Sequence, residues 1–217
     1  MTQTKVFNNL ILATMVVGLA QACATSTTPN DSERSDASPK PATGLTSSDL
    51  VGNWSSEGCE AYPDGQGGTN YLTRDFTLTD ERWDLTFKIY GDEACSYPLF
   101  SGRIEGPYVL GEQSEAVEGA TQGTFAFATQ TWTAHAEDMV NVFNQSACGN
   151  GSWAVGVPQD VSTTGCIGVA KPLTACAQEY DVVRVDGESL YFGQRITNMC
   201  EPEGRPTALN SYAVNKR

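Results

Sequence analysis

The feature that most constrains the fold is a period-two alternation of apolar and polar residues, which begins near Leu50. It is clearest in residues 82–90, RWDLTFKIY, where every second side chain is large and apolar. That spacing is typical of a strand with one face buried. The apolar positions of this strand are Trp83, Leu85, Phe87 and Ile89.

Similar patterns recur along the chain and predict further strands. Residues 71–79 carry an apolar face that is interrupted by Arg74, and residues 124–133 place Phe125 and Phe127 on one face and Trp132 on the other. Two more strands, 180–185 and 189–195, are separated by Asp186-Gly187, a strong hairpin signal. Residues 135–143 could form one or two helical turns, and no other stretch favours a helix.

Many short strands in hairpin order predict an all-β antiparallel fold, either a sandwich or a barrel. Two residues favour a lipocalin-like barrel. In such barrels a Gly-x-Trp tryptophan near the N-terminus closes one end and stacks on an arginine from the last strand. Gly52-x-Trp54 and Arg195 fit these two roles, so we expect a cation–π contact between Trp54 and Arg195.

Six cysteines follow Cys23, and an even number in an exported chain indicates disulfides. The sequence allows 15 pairings. We favour pairing in chain order, in which each bond stabilises the fold by roughly 3–4 kcal/mol on a chain-entropy argument. A metal site is not expected, because the chain has no Cys-x-x-Cys and its one histidine is remote from any cysteine pair. The predicted pairs are Cys59–Cys95, Cys148–Cys166 and Cys176–Cys200.

The N-terminal residues resemble an export signal. Residues 1–22 have an apolar run of eleven and a small-x-small site, as in a signal peptide. Cys23 follows directly and would be lipidated in a bacterial lipoprotein, with ordinary secretion as the alternative. Residues 23–46 predict a flexible linker and residues 47–217 the folded domain. The residue after Cys23 is Ala24 and not the Asp that often retains lipoproteins at the inner membrane. We therefore expect an outer-membrane lipoprotein; the alternatives are a periplasmic or a secreted protein.

Charge and residue content narrow the function classes. The net charge of −13 argues against nucleic acid as a partner, because phosphate binding needs a basic surface. His135 is the only imidazole, and no Gly-x-Ser-x-Gly elbow is present, so catalysis is not expected. Nothing indicates a cofactor, and the sequence does not identify a protein partner. We expect His135 to lie at the surface or at a strand end.

Several segments together resemble the adenomatosis polyposis coli down-regulated (APCDD) domain. They are LVGNWSSEGCE, YLTRDFTL, YGDEACSYP, ACGNGSWAVGVPQDVSTTGC, EYDVVRV, LYFGQR and RPTALNSY, spread over residues 48–213. The resemblance implies a membrane-anchored antiparallel β-barrel and lipid binding, which in animals includes the acyl group of Wnt. The resemblance includes Cys59, Cys95, Cys148 and Cys166, which fits the first two predicted pairs, but it gives no counterpart for Cys176. The single domain copy, the lack of a C-terminal transmembrane segment and the bacterial-type leader depart from the animal pattern, so only the barrel and an oily interior are expected to carry over.

The function that we expect is therefore non-enzymatic binding of a lipid or another hydrophobic ligand inside the barrel. The predicted lining is Trp83, Leu85, Phe87, Phe125 and Phe127. Arg74 either pairs with Glu60 or contacts a ligand head group, because a buried charge requires a partner. The alternative function is a cell-envelope scaffold or protein-interaction module whose barrel is packed and holds no ligand.

Overall fold

The computed structural model describes residues 44–63, 67–166 and 169–217. The predicted signal peptide, Cys23 and most of the predicted linker lie outside the described residues. Leu45 already belongs to the fold, because its backbone N–H donates to Thr121 Oγ1 at 2.8 Å and its side chain packs on the core. The elements are α1 Ser47–Leu50, β1 Gly52–Ser56, β2 Glu60–Pro63, β3 Thr69–Leu78, β4 Arg82–Tyr90, β5 Pro98–Gln113, β6 Thr121–Ala126, β7 Thr129–Ala134, α2 Glu137–Gln145, β8 Pro158–Asp160, β9 Gln178–Asp186, β10 Ser189–Phe192, a 3-10 turn Pro202–Gly204 and β11 Val214–Lys216.

Eight of these strands close into an antiparallel barrel, which confirms the predicted fold class. The hydrogen-bonded order is β1-β3-β4-β5-β6-β9-β10-β11. The circle closes where β11 pairs with β1, with Trp54 opposite Lys216 and Ser56 opposite Val214. Because every second side chain of a strand points inward, the alternation seen in β4 places its apolar face inside the barrel.

The barrel wall divides where β6 ends and β7 begins. The first half of β5 pairs with β7 and the second half with β6, and Phe127 and Ala128 interrupt the ladder between them. Gly106 faces this break, where a Cβ atom would lie 2.0 Å from the carbonyl oxygen of Ala126. On the edge away from β5, β6 pairs with β9, whereas β7 pairs with β8.

The same break corrects the predicted orientation of Trp132. The register of the ladder shifts by one residue across the break, because Tyr108 pairs with Phe125 but Glu105 pairs with Thr129. Trp132 is therefore buried together with Gln130 and Ala134 and lies on the inward side, as Phe125 does. The prediction that Trp132 occupies the opposite face was wrong, because it assumed one uninterrupted strand over residues 124–133.

One end of the barrel is closed by α1 and Trp54. Trp54 is buried, and its Nε1 donates to the carbonyl oxygen of Leu50 at 2.8 Å. The cation above its ring is Lys216, whose Nζ lies 5.2 Å from the ring centroid. The predicted contact with Arg195 was wrong, because Arg195 forms a salt bridge with Glu179 instead. The last strand is β11, so Lys216 holds the place that we predicted for Arg195.

A second core lies beyond the point where β7 leaves the barrel. There α2 packs on β7 through Met139, Val140 and Phe143, and the Nε1 of Trp153 donates to the carbonyl oxygen of Cys148 at 2.9 Å. The helix is nine residues long, slightly more than the two turns that the sequence indicated. In the described part of the chain, neither α1 nor α2 is long and apolar enough to span a bilayer.

Three disulfides connect this framework in the predicted order: Cys59–Cys95, Cys148–Cys166 and Cys176–Cys200. They close loops with sequence separations of 36, 18 and 24 residues. Disulfides of this number are typical of proteins that leave the reducing cytosol, so the fold indicates an oxidising, exported environment.

Candidate functional site: an apolar cavity with a charged mouth

The interior of the barrel encloses a cavity of about 420 Å³. Its apolar wall comes from the inward face of β3 and β4, from β5 to β7 and from β10. Several of these side chains are only partly buried although they point inward, because they border empty space rather than other atoms. The apolar lining residues are Leu72, Phe76, Trp83, Leu85, Phe87, Ile89, Ile104, Phe125, Phe127, Trp132 and Phe192.

The structure brings together all six residues that the sequence predicted as ligand-binding. Trp83, Leu85 and Phe87 of β4, Phe125 and Phe127 near the end of β6, and Arg74 of β3 all line the cavity. Their common placement is a structural finding, whereas ligand contact remains a prediction.

Aromatic contacts fix the shape of the apolar wall. Phe76 and Phe192 stack with their ring centroids 4.5 Å apart, and Trp83 meets Phe125 edge-on at 5.4 Å. The Nε1 of Trp83 donates to the carbonyl oxygen of Ala126 at 2.9 Å. Edge-to-face and offset pairs of this kind are favourable beyond the area that they bury. The cavity is therefore bounded by rings that support one another, and it does not depend on a single loop.

Three aromatic residues line the cavity although they were not predicted to do so: Phe76, Trp132 and Phe192. Trp132 is the largest of them. Its ring meets Phe87 edge-on at 5.0 Å. Its Nε1 is buried and has no hydrogen-bond partner in the parts of the chain that the structure describes. An unpaired buried N–H costs roughly 1–3 kcal/mol, so this position is retained at some expense of stability.

Arg74 lines the cavity and forms a buried ion pair with Glu60. Its Nε lies 3.1 and 3.0 Å from the two carboxylate oxygens of Glu60, and its Nη2 donates to Glu60 at 3.0 Å and to the carbonyl oxygen of Tyr212 at 3.0 Å. Ser56 and Tyr62 also donate to Glu60, each at 2.6 Å, and burial raises the pKa of the Tyr62 hydroxyl. Of the two partners considered for Arg74, the structure forms the Glu60 pair.

Towards solvent the lining becomes polar, and sequence analysis did not anticipate its acidic members. Asp181 is only 4% exposed, and its Oδ1 accepts from the backbone N–H groups of Val182 at 2.7 Å and Gly193 at 2.9 Å. Burial raises the pKa of Asp181 to about 6, although Arg195 opposes the shift. Glu179 pairs with Arg195 and raises the pKa of its guanidinium.

Two segments meet at the open end of the cavity, which we call the mouth. Lys171 from one segment donates to Asn198 Oδ1 of the other at 2.8 Å, and the Cys176–Cys200 disulfide joins the same region. Arg195 and Asn198 are exposed, so solvent reaches the cavity here. Alternation within 189–195 could have indicated Phe192, but no local sequence pattern marks Lys171 or Asp181 as neighbours of the cavity.

His135 lies just after the end of β7, as expected, and is half-buried. Its Nε2 is 2.9 Å from Ser101 Oγ, and burial lowers its pKa. In the described ranges, no three His, Cys, Asp or Glu side chains are grouped so that they could hold a metal ion.

The fold and cavity define a class: small disulfide-bonded β-barrels with an apolar interior that opens at one end. Comparison with known families agrees with this class. The family described as adenomatosis polyposis coli down-regulated 1 matches residues 36–215. The chain therefore belongs to the APCDD1 family, and the match runs from before β1 into the last barrel strand, β11.

Proposed function

We propose that this protein is a non-enzymatic binding protein whose barrel holds the acyl chain of a lipid or a similar hydrophobic ligand. The observation that carries this proposal is the cavity of about 420 Å³, lined by aromatic and aliphatic side chains inside the closed barrel. Ligand pockets usually span about 300–1,000 Å³ and combine an apolar lining with a few polar groups. Both properties are met here.

The size of the cavity favours one chain over two. A methylene group occupies roughly the volume of a water molecule, about 30 Å³. A cavity of about 420 Å³ therefore accommodates on the order of 14 such groups, which corresponds to one acyl chain of ordinary length.

The distribution of polarity gives the bound chain a direction. Phe76, Trp83 and Phe125 lie on the side of the core that Trp54 closes, whereas Lys171 and Arg195 lie at the mouth. A chain that enters tail first buries its methylenes against the rings, at roughly 25 cal/mol per Å² of apolar surface, and keeps its polar head at the mouth.

We also propose that the protein is held at a membrane, as an outer-membrane lipoprotein acylated on Cys23. The support for this is the sequence of residues 1–23 together with the three disulfides of an exported fold. Two or more acyl chains on one residue give stable anchoring. Cys23→Ser should abolish labelling of the protein with radioactive palmitate in its host cells, and unchanged labelling would contradict the assignment.

The decisive experiment for cargo is purification in a gentle detergent, followed by solvent extraction and mass spectrometry of the extract. We expect an acyl-containing molecule in near-stoichiometric amount, released without cleavage of any covalent bond. Repeated absence of such a molecule, together with no binding of a fluorescent fatty acid, would support the alternative function of a scaffold with an empty barrel.

A further inference from the structure

We propose that the mouth of the cavity is also a membrane-docking surface, which inserts into a lipid bilayer when the acyl chain passes in or out. This inference rests on the proposed function. The surface consists of Val169, Lys171, Arg195 and Ile196, and we call it the rim patch.

The first observation is a strongly exposed apolar side chain beside the opening. Ile196 is 81% exposed, the highest value among the exposed large hydrophobic residues described. Its neighbours Arg195 and Thr197 both line the cavity, so Ile196 stands at the edge of the mouth. Val169, which also lines the cavity, is 36% exposed.

The second observation is that the two segments carrying these side chains are joined. The hydrogen bond from Lys171 to Asn198, 2.8 Å long, connects a residue two positions after Val169 with one two positions after Ile196. The disulfide between Cys176 and Cys200 adds a covalent link nearby. The two apolar side chains therefore lie on connected segments that both border the opening.

The third observation is the charge beside these apolar residues. The whole chain carries a net charge of −13, yet the rim patch contains two cations. Glu179 neutralises Arg195, whereas the partners of Lys171 are the neutral Asn198 and Cys200. A lysine beside apolar side chains suits the boundary of a bilayer, where its ammonium group meets lipid phosphates and its stem stays among apolar groups.

A bilayer fits this surface better than a protein partner because the acyl chain must move between the cavity and a membrane. A free acyl chain crosses water at a high cost in exposed apolar surface, and direct contact between the mouth and the bilayer removes that step. If Cys23 is acylated, the twenty residues between it and Gly44 reach at most roughly 70 Å, which keeps the mouth within range of the membrane.

The test is fluorescence quenching by phosphatidylcholine vesicles whose acyl chains carry bromine, with the full chain in two variants. Ile196→Trp reports from the rim patch, and Val109→Trp reports from an exposed position, 65% accessible, on the outer wall of β5. The native tryptophans are buried, and the unchanged protein gives their background. We expect loss of fluorescence at position 196 and little loss at position 109. Equal losses at both positions, or none at 196, would overturn the inference.

A kinetic measurement separates docking from cargo binding. Transfer of a fluorescent fatty acid from the unchanged protein to acceptor vesicles should accelerate as vesicle concentration rises. Ile196→Asp should slow the transfer and Val109→Asp should not, while both variants keep their affinity for the fatty acid in the absence of vesicles. If the fatty acid binds but position 196 shows no quenching, only the docking inference fails. If no fatty acid binds, the proposed function fails, whatever the quenching shows.

Discussion

Glu60 and Arg74 form a salt bridge inside the barrel, with the guanidinium Nε 3.0 Å from one carboxylate oxygen. The two side chains are 3% and 12% exposed. Ser56 and Tyr62 donate further hydrogen bonds to the carboxylate, and Tyr212 accepts one from the guanidinium. Both members of this buried charge pair therefore make further hydrogen bonds to other groups of the protein.

Loss of one partner should be costly. We expect Glu60→Gln to lower the free energy of unfolding by about 3–5 kcal/mol, because it leaves the Arg74 guanidinium buried without its counter-charge. Urea unfolding under non-reducing conditions measures this change. The control is Glu105→Gln, which weakens the exposed bridge to Arg103 and should cost at most about 1 kcal/mol. Similar losses in the two variants would contradict the structural importance of the buried pair.

Filling the cavity should prevent ligand binding without unfolding the protein. Leu85→Trp adds volume on the inward face of β4, where the side chain borders the cavity. We expect weaker binding of a fluorescent fatty acid and a stability change within about 1–3 kcal/mol. Thr86→Trp places the same ring on the neighbouring outward position and should bind normally. The prediction is refuted by equal affinities in titrations of the two variants.

The disulfide at the mouth should contribute to global stability. Replacing both Cys176 and Cys200 by Ser opens a loop with a sequence separation of 24 residues. On the chain-entropy argument the free energy of unfolding should fall by roughly 3–4 kcal/mol. Denaturant unfolding of the double variant beside the unchanged protein measures this fall, and an unchanged midpoint would show that the region is held by its other contacts.

Asp181 should give stability an unusual dependence on pH. Its pKa is raised to about 6 in the fold, so the folded state holds a proton that the unfolded state has already released between about pH 4 and pH 6. Over that window the contribution of Asp181 to stability falls as pH rises. Burial of its charge then destabilises the fold at neutral pH.

Asp181→Asn retains an oxygen for the N–H groups of Val182 and Gly193 but does not titrate. We expect the difference in unfolding free energy between this variant and the unchanged protein to grow in favour of the variant from pH 4 to pH 7, by up to roughly 2–3 kcal/mol. Denaturant unfolding at a series of pH values tests it. A difference that stays constant with pH would show that Asp181 is not the responsible group.

Sequence patterns predicted the parts of this structure that depend on local alternation. The inward face of β4 follows directly from Trp83, Leu85 and Phe87, because the pairing of β4 with β5 is regular from Arg82 to Ile89. Prediction failed where a long-range contact decides the outcome. The break after β6 depends on the close approach of Gly106 to Ala126, which no local pattern shows, and it reverses the face of Trp132.

The contact above Trp54 illustrates a second limit. The expected interaction was a cation from the last strand over the tryptophan ring, and such an interaction is present, but Lys216 supplies it. Strand β11 has only three residues, too few for a recognisable alternation, so the sequence predicts residues 189–195 as the last strand. In the structure β10 ends at Phe192, and Arg195 lies beyond it. Asp181 lines the cavity because β9 packs beside the mouth, and no local sequence pattern indicates this position.

The circular pairing of the eight strands has a consequence for the anchoring that we propose, which would gather many copies on one membrane. In the described part of the chain, the strands that end the sheet outside the circle are β2, with four residues, and β8, with three. Long unpaired edges recruit strands from neighbouring molecules, and short ones offer little to extend. Copies of this domain gathered at high density on one surface are therefore protected against forming mixed sheets, even when their apolar interiors are empty.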